Sequence, residues 1–303
     1  MTDHTPLLIV GTGAMASLFA SRMVAAGIDV NMLGSWPEGL HALQEHGVTV
    51  VEADGSERVY PVRATSDPGQ LGSFQNALVL VKAWQNQRAG CQLAECLQRD
   101  GLALTLQNGL GNRELLSKAI GPQRTASGVT TSGATLLGPG RVRPVGNGQV
   151  SLGAHPRLEP MADLLQTAGF KVDVLADTTS LIWGKLVINA AINPLTALLR
   201  IPNGELLNRP NARALMAAAA REAAAVAGAS QISLPYPDPV SAVEDVARRT
   251  AGNLSSMLQD VQRGTPTEID AICGAIVKAG ARVKVPTPVI RTMWLLVRAI
   301  EGR

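Results

Sequence analysis

The chain has 303 residues, with 27 Lys and Arg against 24 Asp and Glu, for a net charge of +3. That length suits one or two domains with ample core, and the absence of clustered Lys/Arg runs or aromatic stacking motifs argues against nucleic acid as a partner. Aromatic residues make up only 3%, so the core must rest on Val, Leu, Ile and Ala, and Cys91, Cys96 and Cys273, lacking the spacing of a metal site, read as reduced thiols of a cytoplasmic protein.

Thr2-Asp3-His4 lacks the basic start of a secretory signal, so none is expected. Leu7–Val10 then forms a short apolar run, followed at once by Gly11-Thr12-Gly13-Ala14-Met15-Ala16. Ser17–Ala26 reads as a small-residue helix and Asp29–Leu33 as the next strand. Strand, glycine turn and helix in that order give the G-x-G-x-x-G/A spacing its meaning. Gly11 permits the tight turn. Gly13 lets the backbone approach a pyrophosphate seated on the unpaired amides of the helix N-terminus. Ala16 stands in the third glycine position, which the fingerprint tolerates.

An NAD enzyme usually ends its second strand with a carboxylate for the ribose hydroxyls, and an NADP enzyme places an arginine nearby. Leu33-Gly34-Ser35-Trp36 offers neither. Without a carboxylate to repel a 2′-phosphate, NADP (NADPH) is favoured and NAD stays open. Ser35 can donate a hydrogen bond, and Lys82 at the end of Leu78–Val81 can supply charge.

Further along, Glu38–His46 reads as a short helix, and Val48–Val51 with Val59–Val62 as a hairpin around Asp54-Gly55. Ala77–Val81 and Leu102–Leu106 are buried strands separated by a helix over Gln87–Leu97. Thr125–Ser132 and Val150–Leu152 follow as strands, with the turn Gly138-Pro139-Gly140 between them. Leu158–Ala168 is a helix leading to the strand Val172–Leu175. Short apolar runs alternating with helices indicate parallel strands covered on both faces. Gln107-Asn108-Gly109 lies just past a strand end, where open parallel sheets bind ligands. Asn108 is thus placed for a nicotinamide or a substrate oxygen, although Asn-Gly also marks plain turns.

From Asp177 onward every segment is helical in pattern: Leu181–Leu199, Ala212–Ala227, Val240–Ala251, Glu268–Ala279 and Pro288–Ile300. Alanine-rich Ala212–Ala227 favours helix intrinsically. Lys185, Asn189 and Asn193 recur at intervals of four within Leu181–Leu199, so at about 100° per residue they share one face of an apolar helix. Either this row meets a polar ligand, because an unpaired buried ammonium is costly, or Lys185 reaches out to solvent from a rim. The three polar residues and Pro194 argue against a membrane span.

Three other features bear on chemistry. Thr265-Pro266-Thr267-Glu268 has the form of a capping box with proline at the first helical position, which by itself accounts for Glu268. Ser255 and Ser256, just past Asn253, suit a helix cap or a carboxylate. His4, His41, His46 and His155 all precede the helical region, so an imidazole acid is not at hand beside the row. Lys185 is the only lysine between Lys171 and Lys278. An ammonium there would stabilise charge on a carbonyl oxygen and donate the proton that ketone reduction requires.

These motifs together resemble the ketopantoate reductases (2-dehydropantoate 2-reductases). The resemblance spans nearly the whole chain. It rests on Gly11–Ala16, Val81-Lys82-Ala83, Gln107-Asn108-Gly109, Trp183–Asn189, Ile192–Ala197, Asn203-Gly204-Glu205-Leu206, Ser255–Asp260 and Thr267–Asp270 in this order and spacing. It implies Lys185 as proton donor, and Asn189, Asn193, Asn203 and Ser256, with neighbouring Asn253, as ligands of the substrate's carboxylate and hydroxyl end. It implies Asn108 between nicotinamide and substrate, Lys82 and Glu268 holding the cofactor or closing the site, and Gly146 as a backbone contact to the cofactor. Gly11, Thr12, Gly13, Ala14, Met15, Ala16 and Ser35 complete the cofactor set. Gly34 stands where many members carry the arginine that grips the 2′-phosphate, and Cys273 where asparagine is common.

The expectation is therefore an α/β protein: an N-terminal Rossmann-like doubly wound sheet over residues 1–177 and an all-helical domain over 178–303. Its partner is a small 2-oxo acid reduced with NADPH or NADH, with no nucleic acid, membrane or metal involved, as a monomer or homodimer. Reduction of another branched 2-oxo acid, or silent NAD(P) sensing, are the rival readings.

Overall fold

The computed structural model describes residues 6–146 and 148–302; Thr2–His4 and Asn147 of the sequence argument lie outside them. The chain divides into two compact units, one running to Gln107 and again from Asn112 to Thr178, the other taking Asn108–Gly111 and Thr179 onward.

In chain order the first unit contains β1 (Leu7–Val10), α1 (Ala14–Ala25), β2 (Val30–Leu33), α2 (Pro37–His46), β3 (Val48–Val51), β4 (Glu57–Tyr60), β5 (Arg63–Thr65), β6 (Phe74–Val79), α3 (Asn86–Cys96) and β7 (Leu97–Thr105). It continues with α4 (Asn112–Ile120), β8 (Thr125–Thr130), β9 (Gly133–Gly138), β10 (Arg141–Val145), β11 (Gln149–Gly153), α5 (Glu159–Thr167) and β12 (Lys171–Leu175). Eight strands form one sheet in the order β12-β11-β8-β7-β6-β1-β2-β5. The six strands from β8 to β5 are parallel. β11 runs antiparallel to β8, with β12 parallel to β11.

Strand alternation explains the two-sided burial. Leu7 and Ile9 of β1 join one apolar cluster with Phe19 and Met23 of α1, while Leu8 and Val10 join another with Leu93 of α3 and Leu116 of α4. Each face is thereby covered by helices, as a parallel sheet requires.

A second, four-stranded sheet runs β4-β3-β10-β9. Its hairpin β9–β10 was not expected. The turn Gly138-Pro139-Gly140, a spacer between strands by sequence, closes a hairpin whose two arms bury only Val142 fully. With so little alternation in burial, the period-two signal is weak. Val48, Val50 and Val142 of this sheet pack with α1.

The second unit is helical: α6 (Thr179–Leu199), α7 (Glu205–Asn208), α8 (Pro210–Ala229), α9 (Pro239–Arg249), α10 (Ser256–Gln262), a π turn at Asp270–Gly274, α11 (Ala275–Arg282) and α12 (Pro288–Ile300). α6 is long and apolar enough to cross a membrane, but most of it is buried in the helical core. Ala219, Ala220, Ala223 and Ala227 of α8 are wholly buried against that core, the close approach that small side chains permit.

Pro194 lies inside α6 and has no N–H to offer the carbonyl of Ala190, four residues back. The Cys273 thiol donates to that oxygen at 4.0 Å, a long and weak contact. The segment expected as one helix over Glu268–Ala279 thus begins with a π turn containing Cys273 and continues as α11.

Candidate active site

In the first unit, the loop between β1 and α1 is shaped for close approach of a ligand backbone. Gly11 has φ +136°, and a β-carbon there would lie 3.1 Å from the Leu80 carbonyl carbon and oxygen. Any other residue would be strained and crowded. At Gly13 the opposite holds, since a β-carbon would meet nothing within 4 Å. Glycine there leaves open space directly ahead of the helix. α1 starts from Gly13 with no side-chain cap and no acidic residue in its first turn. Its leading amides and dipole are free for an anion. Ala14 and Met15 are partly exposed at that end, and Thr12 and Ala16 are buried behind it.

Other cofactor candidates stand in the same unit. Ser35 is partly buried after β2. Lys82 leads a 3₁₀ turn, Ala83–Gln85, beyond the end of β6, with its backbone N–H on Gln85 Oε1 at 3.2 Å. Gly146 is exposed with φ +72° and open space around its α-carbon. Gln107, given no role of its own in the sequence reading of Gln107-Asn108-Gly109, joins the ends of β6 and β7: its Nε2 donates to Val81 O at 2.7 Å and Asn86 Oδ1 at 2.8 Å. Asn86 Nδ2 in turn donates to Asn112 Oδ1 at 2.7 Å. Three separated carboxamides gave no local signal.

The second unit holds the lysine row. Asn193 is buried and Asn189 half-buried on α6. Lys185 is partly buried, yet its surroundings are dense enough that desolvation pulls its pKa from 10.5 down to about 8, with the Glu268 carboxylate opposing. Burial disfavours the charged form and a nearby anion favours it. Gly184 beside it is in tight contact with Pro235 and Tyr236, whose hydroxyl donates to Gly184 O at 2.9 Å.

The expected capping box is not formed. Thr265 Oγ1 bonds Asp260 O at 3.2 Å, the helix starts only after Glu268, and the Glu268 carboxylate accepts from Asn108 Nδ2 at 3.3 Å. Thr267 N instead donates to Glu301 Oε1, just past the end of α12, at 2.6 Å. Glu268 is 7% exposed, so its charge acts on Lys185 and Asn108 and is weakly screened.

The loop Asn108–Gly111, assigned from sequence to the first domain, belongs to the helical unit. Leu110 N donates to Ala271 O at 3.0 Å, and Gly109, at φ +88°, lies so near that a β-carbon would sit 2.5 Å from the same oxygen. The π turn that carries Ala271 therefore holds Asn108 beside Glu268.

Asn203 is 8% exposed, its N–H bonded to Asn253 O at 3.0 Å and its Nδ2 to Thr250 Oγ1 at 2.9 Å, leaving Oδ1 without a hydrogen-bond partner. An unsatisfied buried acceptor is costly unless a ligand donor meets it. Asn253 thus holds Asn203 with its backbone, and its own residue is exposed. Ser255 is the cap of α10, accepting from Leu258 N at 3.1 Å, and Ser256 is exposed.

Residues 7–157 match the family described as "Ketopantoate reductase PanE/ApbA" and residues 177–301 its C-terminal counterpart. Among curated relatives, the 2-dehydropantoate 2-reductase of Archaeoglobus fulgidus is 36% identical over 300 residues, 97% of each chain. That of Halobacterium salinarum is 33% identical over 97% of this chain and 98% of its own. Among solved structures, a PanE/ApbA family ketopantoate reductase from Ralstonia eutropha superposes with TM-score 0.89 at 30% identity, covering 98% of both chains. D-mandelate dehydrogenase, solved with NADH and anilino(oxo)acetate, superposes with TM-score 0.91 at 27% identity over 98% of both.

Proposed function

The chain belongs to the ketopantoate reductase family, and on that premise we propose that it is a cytoplasmic reductase converting 2-dehydropantoate to pantoate with NAD(P)H, on the pantothenate route. The observation that carries the reading is Lys185: a lysine with its pKa drawn to about 8, its charge supported by Glu268, on the helix face that also bears Asn189 and Asn193.

A bound nicotinamide would supply the hydride. The glycine loop fits such a cofactor: Gly11 permits the turn, Gly13 leaves room, and the first amides of α1 would hold the pyrophosphate. Lys185 is mostly protonated at neutral pH. Its Nζ stabilises the charge growing on the carbonyl oxygen and delivers the proton that makes the hydroxyl. Glu268 keeps that ammonium charged within a desolvating site and orients Asn108. Asn189, Asn193 and Asn203 offer neutral amide groups to the substrate's carboxylate and hydroxyl end, with Ser256 as a further donor. The unpaired Asn203 Oδ1 suits a substrate hydroxyl. A site built to bond a hydroxyl rejects analogues lacking it by as much as about 10⁴-fold.

A second reading, reduction of a different 2-oxo acid, is supported by the likeness to D-mandelate dehydrogenase. Steady-state assays with 2-dehydropantoate, 2-oxoisovalerate, pyruvate and phenylglyoxylate, each with NADPH and NADH, decide between the two. The first requires 2-dehydropantoate to have the highest kcat/KM. As to cofactor, NADPH is accepted because no carboxylate stands at the end of β2, and NADH because no arginine does.

A further inference from the structure

α12 carries a second row of functional groups, away from the lysine row on α6. Trp294, Arg298 and Glu301 recur at intervals of four and three along this helix and just past its end, so they share one flank. On the neighbouring face, Ile290, Met293 and Val297 bury in the helical core. The flank meets the segment from Thr267 to Gly274, which carries Glu268.

Three polar contacts join the two. Glu301 Oε1 accepts from Thr267 N at 2.6 Å, and Thr267 is only 2% exposed, so its N–H depends on an internal acceptor. Trp294 Nε1 donates to Asp270 Oδ1 at 2.7 Å, and the same oxygen lies 3.9 Å from Arg298 Nε. The indole bond, made to a carboxylate, is the stronger of these two. The ion pair is part-exposed and screened. Trp294 also reaches Gly274, where a β-carbon would come within 3.2 Å of the indole Cε2 and Nε1. One side chain thus touches both the first and the last residue of the π turn.

That turn has a reason to be held. A π turn contains one residue more than the α-helical turn it replaces. Relaxing it to α geometry would rotate whatever precedes it by about 100° relative to α11. Glu268 would then leave the position from which its charge reaches Lys185 and its oxygen accepts from Asn108 Nδ2.

We propose that Trp294 and Glu301 are positioning residues for the reaction: anchored on either side of Glu268, they hold the π turn in its wide register and so keep the Glu268 carboxylate where it acts on Lys185 and Asn108. The inference rests on the reading of Lys185 as proton donor. Neither anchor does chemistry, and both act through Glu268.

Variants of the full chain remove one anchor at a time. Trp294→Phe keeps a ring, loses the N–H and changes no charge. Glu301→Ala loses the acceptor for Thr267 N, whereas Glu301→Gln keeps an acceptor and loses only the charge. Each is read in two ways: by the pH profile of 2-oxo acid reduction and, without turnover, by the pH dependence of Lys185 acetylation with acetic anhydride, followed by peptide mass spectrometry.

In Trp294→Phe and Glu301→Ala the Lys185 titration and the alkaline limb of reduction both move to lower pH, because a displaced carboxylate supports the ammonium less well against desolvation. A limb displaced by about half a pH unit lowers the rate on its alkaline side about threefold. The shift is smaller than that of Glu268→Gln and vanishes when either variant is combined with Glu268→Gln, as a double-mutant cycle requires of residues that act through one another. Glu301→Gln stays with wild type.

A titration and a limb that stay in place while Tm falls would make the anchors merely structural and overturn the proposal. A shift of equal size with glutamine at position 268 would overturn it too, and Glu301→Gln shifting as far as Glu301→Ala would refute the role of the Glu301 hydrogen bond. Should no 2-oxo acid be reduced, the proton-donor reading itself fails, while the Lys185 titration still decides whether Trp294 and Glu301 act through Glu268.

Discussion

The two units build their candidate binding groups from different materials. In the first unit the cradle is backbone: Gly11 at φ +136°, open space at Gly13, and uncapped amides at the start of α1. In the second it is side chains on helices: Lys185, Asn189, Asn193, Asn203 and Glu268, each set by burial and by neighbours. A backbone site tolerates change in most side chains but none in its glycines. A side-chain site depends on functional groups, and its electrostatics shift when any one of them is altered.

The largest effect is expected at Lys185. Lys185→Ala should lower kcat by about 10²–10⁴-fold, the usual loss on removing a positioned general acid, while NADPH binding by fluorescence titration stays near wild type. Turnover within a few-fold of wild type would remove Lys185 from the donor role. The pH profile supplies an independent check. A donor must be protonated, so 2-oxo acid reduction should fall as pH rises through about 8, the value to which burial lowers Lys185, and the reverse oxidation should rise over the same range.

Glu268→Gln comes next. The carboxylate raises the Lys185 pKa against desolvation, so its loss should move the alkaline limb of the reduction profile to lower pH and reduce kcat/KM by about tenfold or more. An unmoved limb would mean that Glu268 does not act on the lysine. The sequence alone could not decide this. Its capping-box spacing is real, but the Thr265 hydroxyl turns to Asp260 O and the chain enters a π turn. Local spacing gave no warning of either.

The backbone site yields a paired contrast. Gly13→Ala should leave Tm almost unchanged, since the added methyl meets nothing within 4 Å, yet weaken NADPH binding by roughly tenfold by crowding the pyrophosphate. Gly11→Ala should instead destabilise the fold by about 1–3 kcal/mol, from the positive φ alone, with the approach to Leu80 adding to it. If the two variants behaved alike in thermal melts, the division between shaping and contacting glycines would not hold.

What was legible from sequence follows the same division. The glycine fingerprint, the buried strands and the lysine–asparagine row each depend on residues close in sequence, where periodicity and turn chemistry speak. The features that escaped depend on partners far along the chain. Asn108–Gly111 joins the helical unit because Leu110 and Gly109 meet Ala271. Asn203 is presented by Thr250 and Asn253. Thr12 lies where a β-carbon at Gly34 would fall because β1 and β2 pair in register, Val10 opposite Leu33.

The smallest effect is expected at Cys273, which departs from the asparagine common at its position. Its thiol is fully buried and raised in pKa by desolvation, so it is neutral and unreactive. Among the described residues its thiol meets Ala190 O, the carbonyl to which Pro194 has no N–H to offer. Cys273→Ser supplies a stronger donor, which must close up on an oxygen already 4.0 Å from the thiol, at the cost of burying a more polar atom. These terms oppose each other, and stability should change by no more than about 1 kcal/mol, with kcat/KM within a few-fold. Cys273→Asn brings a carboxamide, with two donors and an acceptor, into a closed core and should cost about 1–3 kcal/mol through polar groups left unpaired. If asparagine were instead tolerated in melts and altered kcat/KM, position 273 would belong to the substrate site and not to the packing behind α6.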